Sequence, residues 1–427
     1  MEILTVENFL TIRYAKMEVR RLNVLIGKQA QGKSVIAKLL YFFKSSFGDQ
    51  FSTSLQNLDN KREFDGALIG LFEDVFPRYA WEGSDFSITY HWKDFSISVT
   101  SSSAKGSKLK ILYCDKLVNL FKRLKSSYKA GLEQLDIDMA KKSGLRRKKD
   151  RDSVFWDAVG DKLYSGGYFP YNRTVFVPAS RSFFANLQKN VFSFLASNID
   201  IDPLIKSFGA QYESCKRFYA NSFWRSEQDE EYRKKIDQLV RDVAVGDYEY
   251  KDEKDWIKNG SKSVNLANAS SGQQESVPML LILSIWPSIF GRAQGTFFIE
   301  EPEAHLFPIA QKNIVSLIAT IMGTYDQQFF ITTHSPYVLT AINNLILAKD
   351  AFDNVSPGSE EEARLSEFVD KIEAISFDDV SAYTINDGLL VNIADPEVRL
   401  LGASVLDEVS DSFEFVFDEL SQSLYRE

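Results

Sequence analysis

Alternating apolar and polar positions predict β-strands near the start of the chain. Residues 3–6 and 15–19 alternate in this way, and residues 22–26 form a mostly apolar run that suits a buried strand. A glycine-rich turn follows, and residues 35–43 then carry apolar side chains at helical spacing. The chain therefore opens with strands that lead into a turn and a helix.

The pattern changes between residues 115 and 245, where an apolar residue recurs every three or four positions and predicts helices. One strand, at residues 174–178, interrupts them. Short strands return after residue 245, followed by a helix from about Gln273 and apolar strands at residues 296–299 and 329–332. Strands that alternate with helices predict a largely parallel sheet.

These patterns predict an α/β fold in which both ends of the chain build one unit. We expect an N-terminal lobe at residues 1–114, a mainly helical insertion at residues 115–245 and a C-terminal lobe at residues 246–427. A hairpin is expected around residues 382–385.

Composition narrows the class of protein. The chain has 427 residues, 44% of them hydrophobic, and a net charge of −9, which argues against a surface that is basic throughout. Its two cysteines, Cys114 and Cys215, are too few for a disulfide framework. The longest apolar stretch, residues 277–290, is interrupted by proline and too short to span a bilayer, and no secretion signal opens the chain. We therefore expect a cytoplasmic protein with no membrane partner.

Residues 27–34 match the pattern G-x-x-x-x-G-K-S between a predicted strand and a predicted helix. Backbone N–H groups of such a loop wrap nucleotide phosphates, and the helix N-terminus adds partial positive charge. We expect Lys33 to reach the β- and γ-phosphates and the Ser34 hydroxyl to bind Mg²⁺. The residues expected to hold the nucleotide here are Gly27, Gln29, Ala30, Gln31, Gly32, Lys33, Ser34 and Val35.

Two adjacent carboxylates, Glu300 and Glu301, follow the apolar strand at residues 296–299. Successive strand side chains point opposite ways, so the two are expected to have different roles. We assign Glu300 to the Mg²⁺ shell through water, and Glu301 to orienting and deprotonating an attacking water. Two solvated carboxylates at a helix start are the alternative interpretation.

Two further segments carry polar groups that suit a phosphate. Ser270, Ser271, Gly272 and Gln273 precede an apolar helix, where they either bind a phosphate or cap the helix. His334 ends the strand at residues 329–332, where it either contacts the γ-phosphate or is a histidine with ordinary structural partners.

The four motifs, in this order, resemble those of ABC-type ATPase heads and, more narrowly, of the OLD-like branch with its relatives in the SMC and RecF group. The resemblance covers residues 1–45 and 262–345 and implies a P-loop ATPase head with a helical insertion between its two lobes. It makes residues 270–273 the signature loop, Glu300 and Glu301 the Walker B acid and catalytic glutamate, and His334 the switch histidine. The 267 residues between Lys33 and Glu300 disfavour an ABC transporter subunit.

The same resemblance implies how such a head works with partners. Two heads of a homodimer or higher oligomer would sandwich ATP, with Ser270 and Gly272 of one meeting the γ-phosphate held by Lys33 of the other. Arg181 would lie near the nucleotide or the partner head, a plain surface arginine being the alternative. OLD nucleases continue into a Toprim domain, whose order of strands and acids is not apparent around Asp378, Asp379 and Asp387.

Without an apparent Toprim domain, the chain resembles the ATPase subunits of the PARIS and Septu anti-phage systems, which work with a separate effector. The resemblance then implies an ATPase that senses a phage-derived trigger and controls a separate, nuclease-like effector subunit. Two alternatives remain open: a RecF-like DNA-repair head that clamps duplex DNA, and a scaffold that binds ATP but scarcely hydrolyses it. The basic run at residues 141–151 either contacts phosphate backbones or is a solvated loop, and residues 407–420 form an acidic amphipathic segment.

Overall fold

The computed structural model describes most of the chain in detail. The described residues are 1–106, 108–140, 150–165, 173–187, 201–221, 230–290 and 295–402. Most of the basic run at residues 141–151, and the whole acidic segment at residues 407–420, lie outside the described residues.

Strands predicted from apolar runs are present at or near their predicted positions. The strands are β1 Glu2–Phe9, β2 Ile12–Glu18, β3 Leu22–Ile26, β4 Phe86–Trp92, β5 Phe95–Ser101, β6 Lys110–Tyr113, β7 Arg173–Val177, β8 Asp247–Lys251, β9 Lys254–Asn259, β10 Lys262–Asn265, β11 Gly295–Glu300, β12 Gln327–Thr333, β13 Val380–Asn386, β14 Leu389–Asn392, β15 Ala394–Asp395 and β16 Leu400–Leu401.

Helices fill most of the chain between these strands. The α-helices are α1 Lys33–Tyr41, α2 Phe47–Asn57, α3 Lys61–Val75, α4 Asp115–Ala140, α5 Arg151–Phe155, α6 Ser182–Leu187, α7 Pro203–Asn221, α8 Glu230–Ala244, α9 Ser271–Phe290, α10 Pro308–Thr324, α11 Pro336–Asp353 and α12 Glu360–Ser366. Two π-helical segments, Phe42–Ser46 and Trp156–Ser165, continue α1 and α5. Short 3₁₀ turns lie at Arg78–Ala80, Ser103–Lys105, Leu266–Asn268, Lys371–Glu373 and Phe377–Asp379.

Eleven strands of the described residues form one mixed sheet in the order β6-β5-β4-β1-β2-β14-β13-β3-β12-β11-β7. One half of the sheet is parallel and consists of the neighbouring strands β13, β3, β12, β11 and β7. The strands β2, β1, β4, β5 and β6 form an antiparallel half, and β14 joins the two halves. Parallel strands end at one edge, which we call the carboxyl edge.

The sheet separates two hydrophobic cores, because successive strand side chains point to opposite faces. Val24 and Phe297 contribute to one core, whereas their neighbours Leu25 and Phe298 contribute to the other. Helices α1–α5 pack mainly against the second core, and helices α6–α11 pack mainly against the first. This arrangement of helices on both faces of a large sheet confirms the predicted α/β class.

Strand β7 lies within the predicted insertion at residues 115–245, and yet it pairs in parallel with β11 of the large sheet. The register places Val177 opposite Ile299, so the chain after β7 emerges beside the chain after β11. The division into two lobes and an insertion stays a prediction. Within the described residues, no helix combines the length and hydrophobicity that a membrane span requires.

Candidate functional site at the carboxyl edge

Several loops meet at the carboxyl edge because the strands before them are neighbours in the sheet. The P-loop (residues 27–34) follows β3, Glu301 follows β11, and His334 follows β12. The edge therefore brings together motifs that lie about 300 residues apart in the chain.

Lys33 lies at the centre of the site and is buried. Its Nζ donates hydrogen bonds to the carbonyl oxygens of Gly27 and Lys28, at 2.8 and 2.7 Å. Burial lowers the pKa of Lys33 from its ordinary value, and the negative charges of Glu301 and Glu303 raise it in part. The ammonium group is thus held inside the loop, where a phosphate group would be its natural counter-ion.

Gly32 shapes the P-loop and opens α1. Its φ of 100° lies in the left-handed region, and a Cβ there would come within 2.6 Å of Thr11 Oγ1 and Ile12 Cδ1. A larger residue at this position would therefore force the loop away from the β1–β2 turn.

The remaining predicted P-loop residues differ in exposure. Gln29, Ala30 and Ser34 are exposed, while Val35 is half-buried. Gln31 folds back over Gly27, and its Oε1 is buried without a hydrogen-bond partner in the described part of the chain. The exposed residues of this loop are therefore accessible to a ligand from solvent.

Glu301 and His334 form the second part of the site. His334 Nε2 lies 3.2 Å from Glu301 Oε1, and Lys33 Nζ lies 3.3 Å from each ring nitrogen of His334. The structure therefore places His334 in contact with both Lys33 and Glu301, so that the three residues lie in one site.

Glu300 and Glu301 have different surroundings, although strand alternation explains this only in part. Glu300 is the last residue of β11 and is buried, with Oε2 accepting a hydrogen bond from the Ala179 N–H at 3.4 Å. Glu301 lies beyond the strand with a left-handed φ of 45°, and its N–H donates to the Thr332 carbonyl oxygen. The left-handed turn directs Glu301 towards β12.

A Mg²⁺ ion fits the oxygen donors at this edge. Glu300 Oε1 is buried and has no hydrogen-bond partner among the described residues. Ser34 offers an exposed hydroxyl in the first turn of α1. Mg²⁺ prefers such hard oxygen ligands and usually takes only one or two from the protein, the rest coming from phosphate and water. No group of three or more His, Cys, Asp or Glu residues in the described part of the chain is arranged to hold a metal by itself.

Glu303 is a site residue to which the sequence analysis gave no role. Its Oε1 accepts hydrogen bonds from Thr333 Oγ1 at 2.8 Å and from the His334 N–H at 2.6 Å. The carboxylate therefore fixes the loop that carries His334. The spacing Glu-Glu-Pro-Glu was the available signal, but nothing in it shows that the third glutamate reaches the end of the next strand.

Residues 270–273, the predicted signature loop, lie at the start of α9. Ser270 caps this helix, because its Oγ accepts a hydrogen bond from the Gln273 N–H at 3.4 Å while its own N–H donates to Gln273 Oε1 at 3.2 Å. The capping role that the sequence left open is therefore present. A Cβ on Gly272 would come within 2.8 Å of the His305 carbonyl oxygen. The loop thus packs against the chain that follows Glu301, with Ser270 exposed to solvent.

Arg181 is completely buried, so its interpretation as a surface arginine is wrong. Its guanidinium donates hydrogen bonds to the carbonyl oxygens of Glu300 and Glu301, at 2.6 and 2.9 Å. Burial lowers the pKa of Arg181 from its ordinary value, and the nearby glutamates, Glu275 foremost, raise it in part.

Comparison with known families gives one match. Residues 171–339 match a family model described as an AAA ATPase domain. This stretch is less than half of the chain, but it contains Arg181, the signature loop, Glu300, Glu301 and His334. Similarity to an ATPase domain supports nucleotide binding and ATPase activity. A search of the curated proteins finds no match.

Solved structures with a comparable course of the chain include three SMC heads. One is described as the SmcHead bound to the C-winged helix domain of ScpA, with 12% identity, TM-score 0.41, and coverage of 93% of this chain and 98% of that chain. The SMC head domain from Thermotoga maritima has 10% identity, TM-score 0.37, and coverage of 92% and 98%. The Smc head domain with an extended coiled coil, bound to the C-terminal domain of ScpA and derived from Pyrococcus furiosus, has 10% identity, TM-score 0.37, and coverage of 96% and 100%.

Proposed function

We propose that the protein binds ATP with Mg²⁺ at the carboxyl edge and hydrolyses it, as an ABC-type ATPase head. One observation carries this proposal: His334 contacts both Lys33 of the P-loop and Glu301 at the ends of neighbouring parallel strands. Phosphoryl transfer to water requires a cation that binds the phosphate and a carboxylate that accepts a proton from the water. Lys33 and Glu301 are such groups, and the polar ring of His334 lies between them.

Each residue has a defined task in this reaction. The Lys33 ammonium exchanges its carbonyl partners for β- and γ-phosphate oxygens, while P-loop N–H groups bind the remaining oxygens. Glu301, at 38% side-chain exposure, is open enough to meet a water molecule and to accept its proton. His334 lies between this carboxylate and Lys33, where it donates to the γ-phosphate. Ser34 and the buried Glu300 would hold Mg²⁺, which would supply positive charge next to the phosphate oxygens.

We further propose that the head acts in a homodimer or higher oligomer and regulates a separate, nuclease-like effector in anti-phage defence. The order of the four motifs supports this proposal, as does the exposure of Ser270 in the predicted signature loop to solvent. In such an assembly ATP would join two heads, and its hydrolysis would release them.

The Glu301→Gln variant tests the catalytic part of the proposal. Loss of the general base is expected to reduce the turnover number by at least about a hundredfold while ATP affinity is retained. Lys33→Ala is expected to weaken Mg-ATP binding by about tenfold or more, because a buried charge-assisted contact to phosphate is lost. Phosphate release and calorimetric binding measure the two effects, and Glu361→Gln, an exposed carboxylate on α12, serves as control.

Either of two results would contradict this assignment: unchanged hydrolysis in Glu301→Gln, or unchanged ATP affinity in Lys33→Ala. The role of the assembly is tested by light scattering of Glu301→Gln with and without ATP, where ATP-dependent dimers are expected. Turnover that rises strongly with duplex DNA and falls steeply with salt would instead favour the RecF-like alternative.

A further inference from the structure

Arg181 binds three separate parts of the molecule with one side chain. It follows β7, and its Nη1 donates to the carbonyl oxygens of Pro178 and Glu300 at 3.0 and 2.6 Å. Its Nη2 donates to the Glu301 carbonyl oxygen at 2.9 Å, and its Nε donates to the Glu275 carbonyl oxygen at 3.0 Å. The Arg181 backbone N–H also donates to Glu275 Oε2 at 3.0 Å. The ends of β7 and β11 and the start of α9 are therefore joined at one buried guanidinium.

The contact to Glu301 fixes a backbone conformation that is unfavourable by itself. Glu301 has a φ of 45°, in the left-handed region that non-glycine residues rarely adopt. Such a conformation persists only when the surrounding structure determines it. Here the Glu301 N–H is bonded to Thr332 and its carbonyl oxygen to Arg181, so both sides of the residue are held. The carboxylate can face His334 only while this turn is kept.

The contact to Glu275 reaches the signature loop. Glu275 is buried, with its carboxylate 3.7 Å from Arg181 Nε, and lies two residues after Gln273 in the first turns of α9. Because a helix moves as a rigid element, a shift of the signature loop also shifts the Glu275 carbonyl and carboxylate. Arg181 would then have to move with them or lose two of its partners.

We propose that Arg181 is a positioning residue that couples the signature end of α9 to the backbone of the proposed general base, Glu301. When a ligand or a second subunit engages residues 270–273, α9 pulls Arg181, and Arg181 sets the turn that directs Glu301 towards water. This inference rests on the proposed ATPase function. It gives the buried arginine a task in turnover that differs from holding the fold together.

Substitution of a residue that only stabilises the fold would lower the stability of the protein without changing the turnover of the folded molecules. Lys44 supplies the matched control, because it is a buried cation whose Nζ lies 2.8 Å from Glu2 Oε1, in the π-helical segment Phe42–Ser46 that continues the end of α1 remote from the P-loop. Lys44→Met is expected to lower the melting temperature but leave turnover per folded molecule unchanged.

The test compares Arg181→Lys and Glu275→Gln with wild type and Lys44→Met. Lysine keeps the charge but has no planar fork with which to reach four carbonyl groups at once. In both site variants we expect the turnover number to fall at least tenfold and the KM for ATP to stay within twofold. Their double variant is expected to be no slower than the slower single variant, because both changes break one connection.

A second measurement covers the case in which Arg181→Lys does not fold. When a non-hydrolysable ATP analogue binds to wild type, hydrogen exchange is expected to slow at the amides of residues 299–303 and of residues 271–276 together. In Glu275→Gln the analogue is expected to slow exchange only at residues 299–303. Equal turnover in Glu275→Gln and wild type, or a loss of turnover in Arg181→Lys no larger than that of Lys44→Met, would overturn the coupling. A wild-type protein that binds no ATP would instead overturn the proposed function.

Discussion

At the scale of single residues, Glu303 decides where the His334 ring lies. One carboxylate oxygen accepts from both the Thr333 hydroxyl and the His334 N–H, at 2.8 and 2.6 Å. Hydrogen bonds to a charged acceptor are each worth about 1.5–3 kcal/mol. The position of the ring therefore depends on a residue two places beyond the proposed general base.

Glu303→Ala is expected to reduce the turnover number by about ten- to a hundredfold, since one lost charged contact corresponds to that range. The affinity for ATP should change little, because Lys33 and the P-loop backbone are intact. Steady-state phosphate release measures the first quantity, and calorimetry the second. Glu303→Gln keeps one carbonyl-type oxygen and should lose less. Equal turnover in Glu303→Ala and wild type would remove Glu303 from the site.

At the scale of elements, a buried polar network joins α7 to the β8–β9 hairpin. Asp255 is buried and accepts hydrogen bonds from the hydroxyls of Tyr212 and Tyr248, at 3.0 and 2.6 Å. Lys216, also buried, lies 3.1 Å from the same carboxylate. Three polar groups therefore converge on one side chain, and they hold the small β8–β10 sheet against the helical layer.

Asp255→Leu is expected to destabilise the protein by about 3–5 kcal/mol, because it leaves the buried Lys216 with only the exposed Glu213 as an ionic partner and removes the acceptor of two buried hydroxyls. Urea unfolding followed by circular dichroism measures this loss. Lys254→Gln changes an exposed residue of the same hairpin and should stay within about 0.5 kcal/mol of wild type. A loss for Asp255→Leu that is no larger than for Lys254→Gln would show that the network contributes nothing.

Elements are also the scale at which the sequence is most informative. The run at residues 22–26 predicts β3 to the residue, and those at 296–299 and 329–332 predict β11 and β12 to within two residues at either end. Fully buried parallel strands are continuous apolar runs, so the signal is local. Strand partners are not local, and so the pairing of β7 with β11 has no signature in the pattern.

In the candidate site too, the sequence predicts the residues that belong to local motifs, because the signal of such a motif is local. Lys33, Glu301 and His334 belong to motifs with local spacing, and the structure places them together. Arg181 was predicted to lie near the nucleotide or the partner head, or else to be a plain surface arginine. In the structure it is buried and bonded to the carbonyl oxygen of Glu300, 119 residues further along the chain. Such a contact exists only after the strands have paired.

At the scale of the whole molecule, both ends of the chain are required for one site. Strand β3, which leads into the P-loop, lies between β12 and β13, and both partners come more than 300 residues later. Thr384 of β13 lies so close to Gly27 that a Cβ on this glycine would come within 3.2 Å of the Thr384 hydroxyl. Strand β13 therefore supports the P-loop as well as the sheet.

A chain that ends at residue 379 is therefore expected to lose both its fold and its affinity for ATP. It lacks β13 and β14, and with them the buried side chains of Val380, Tyr383 and Ile385. At about 1.5–3 kcal/mol each, these three contribute roughly 5–9 kcal/mol of burial. That is comparable with the whole stability of a folded domain, about 5–15 kcal/mol. A chain that ends at Gly402 keeps every described strand and should melt cooperatively and bind Mg-ADP as the full chain does. Thermal melting and calorimetry compare the two chains, and equal melting and affinity would show that β13 is dispensable for the site.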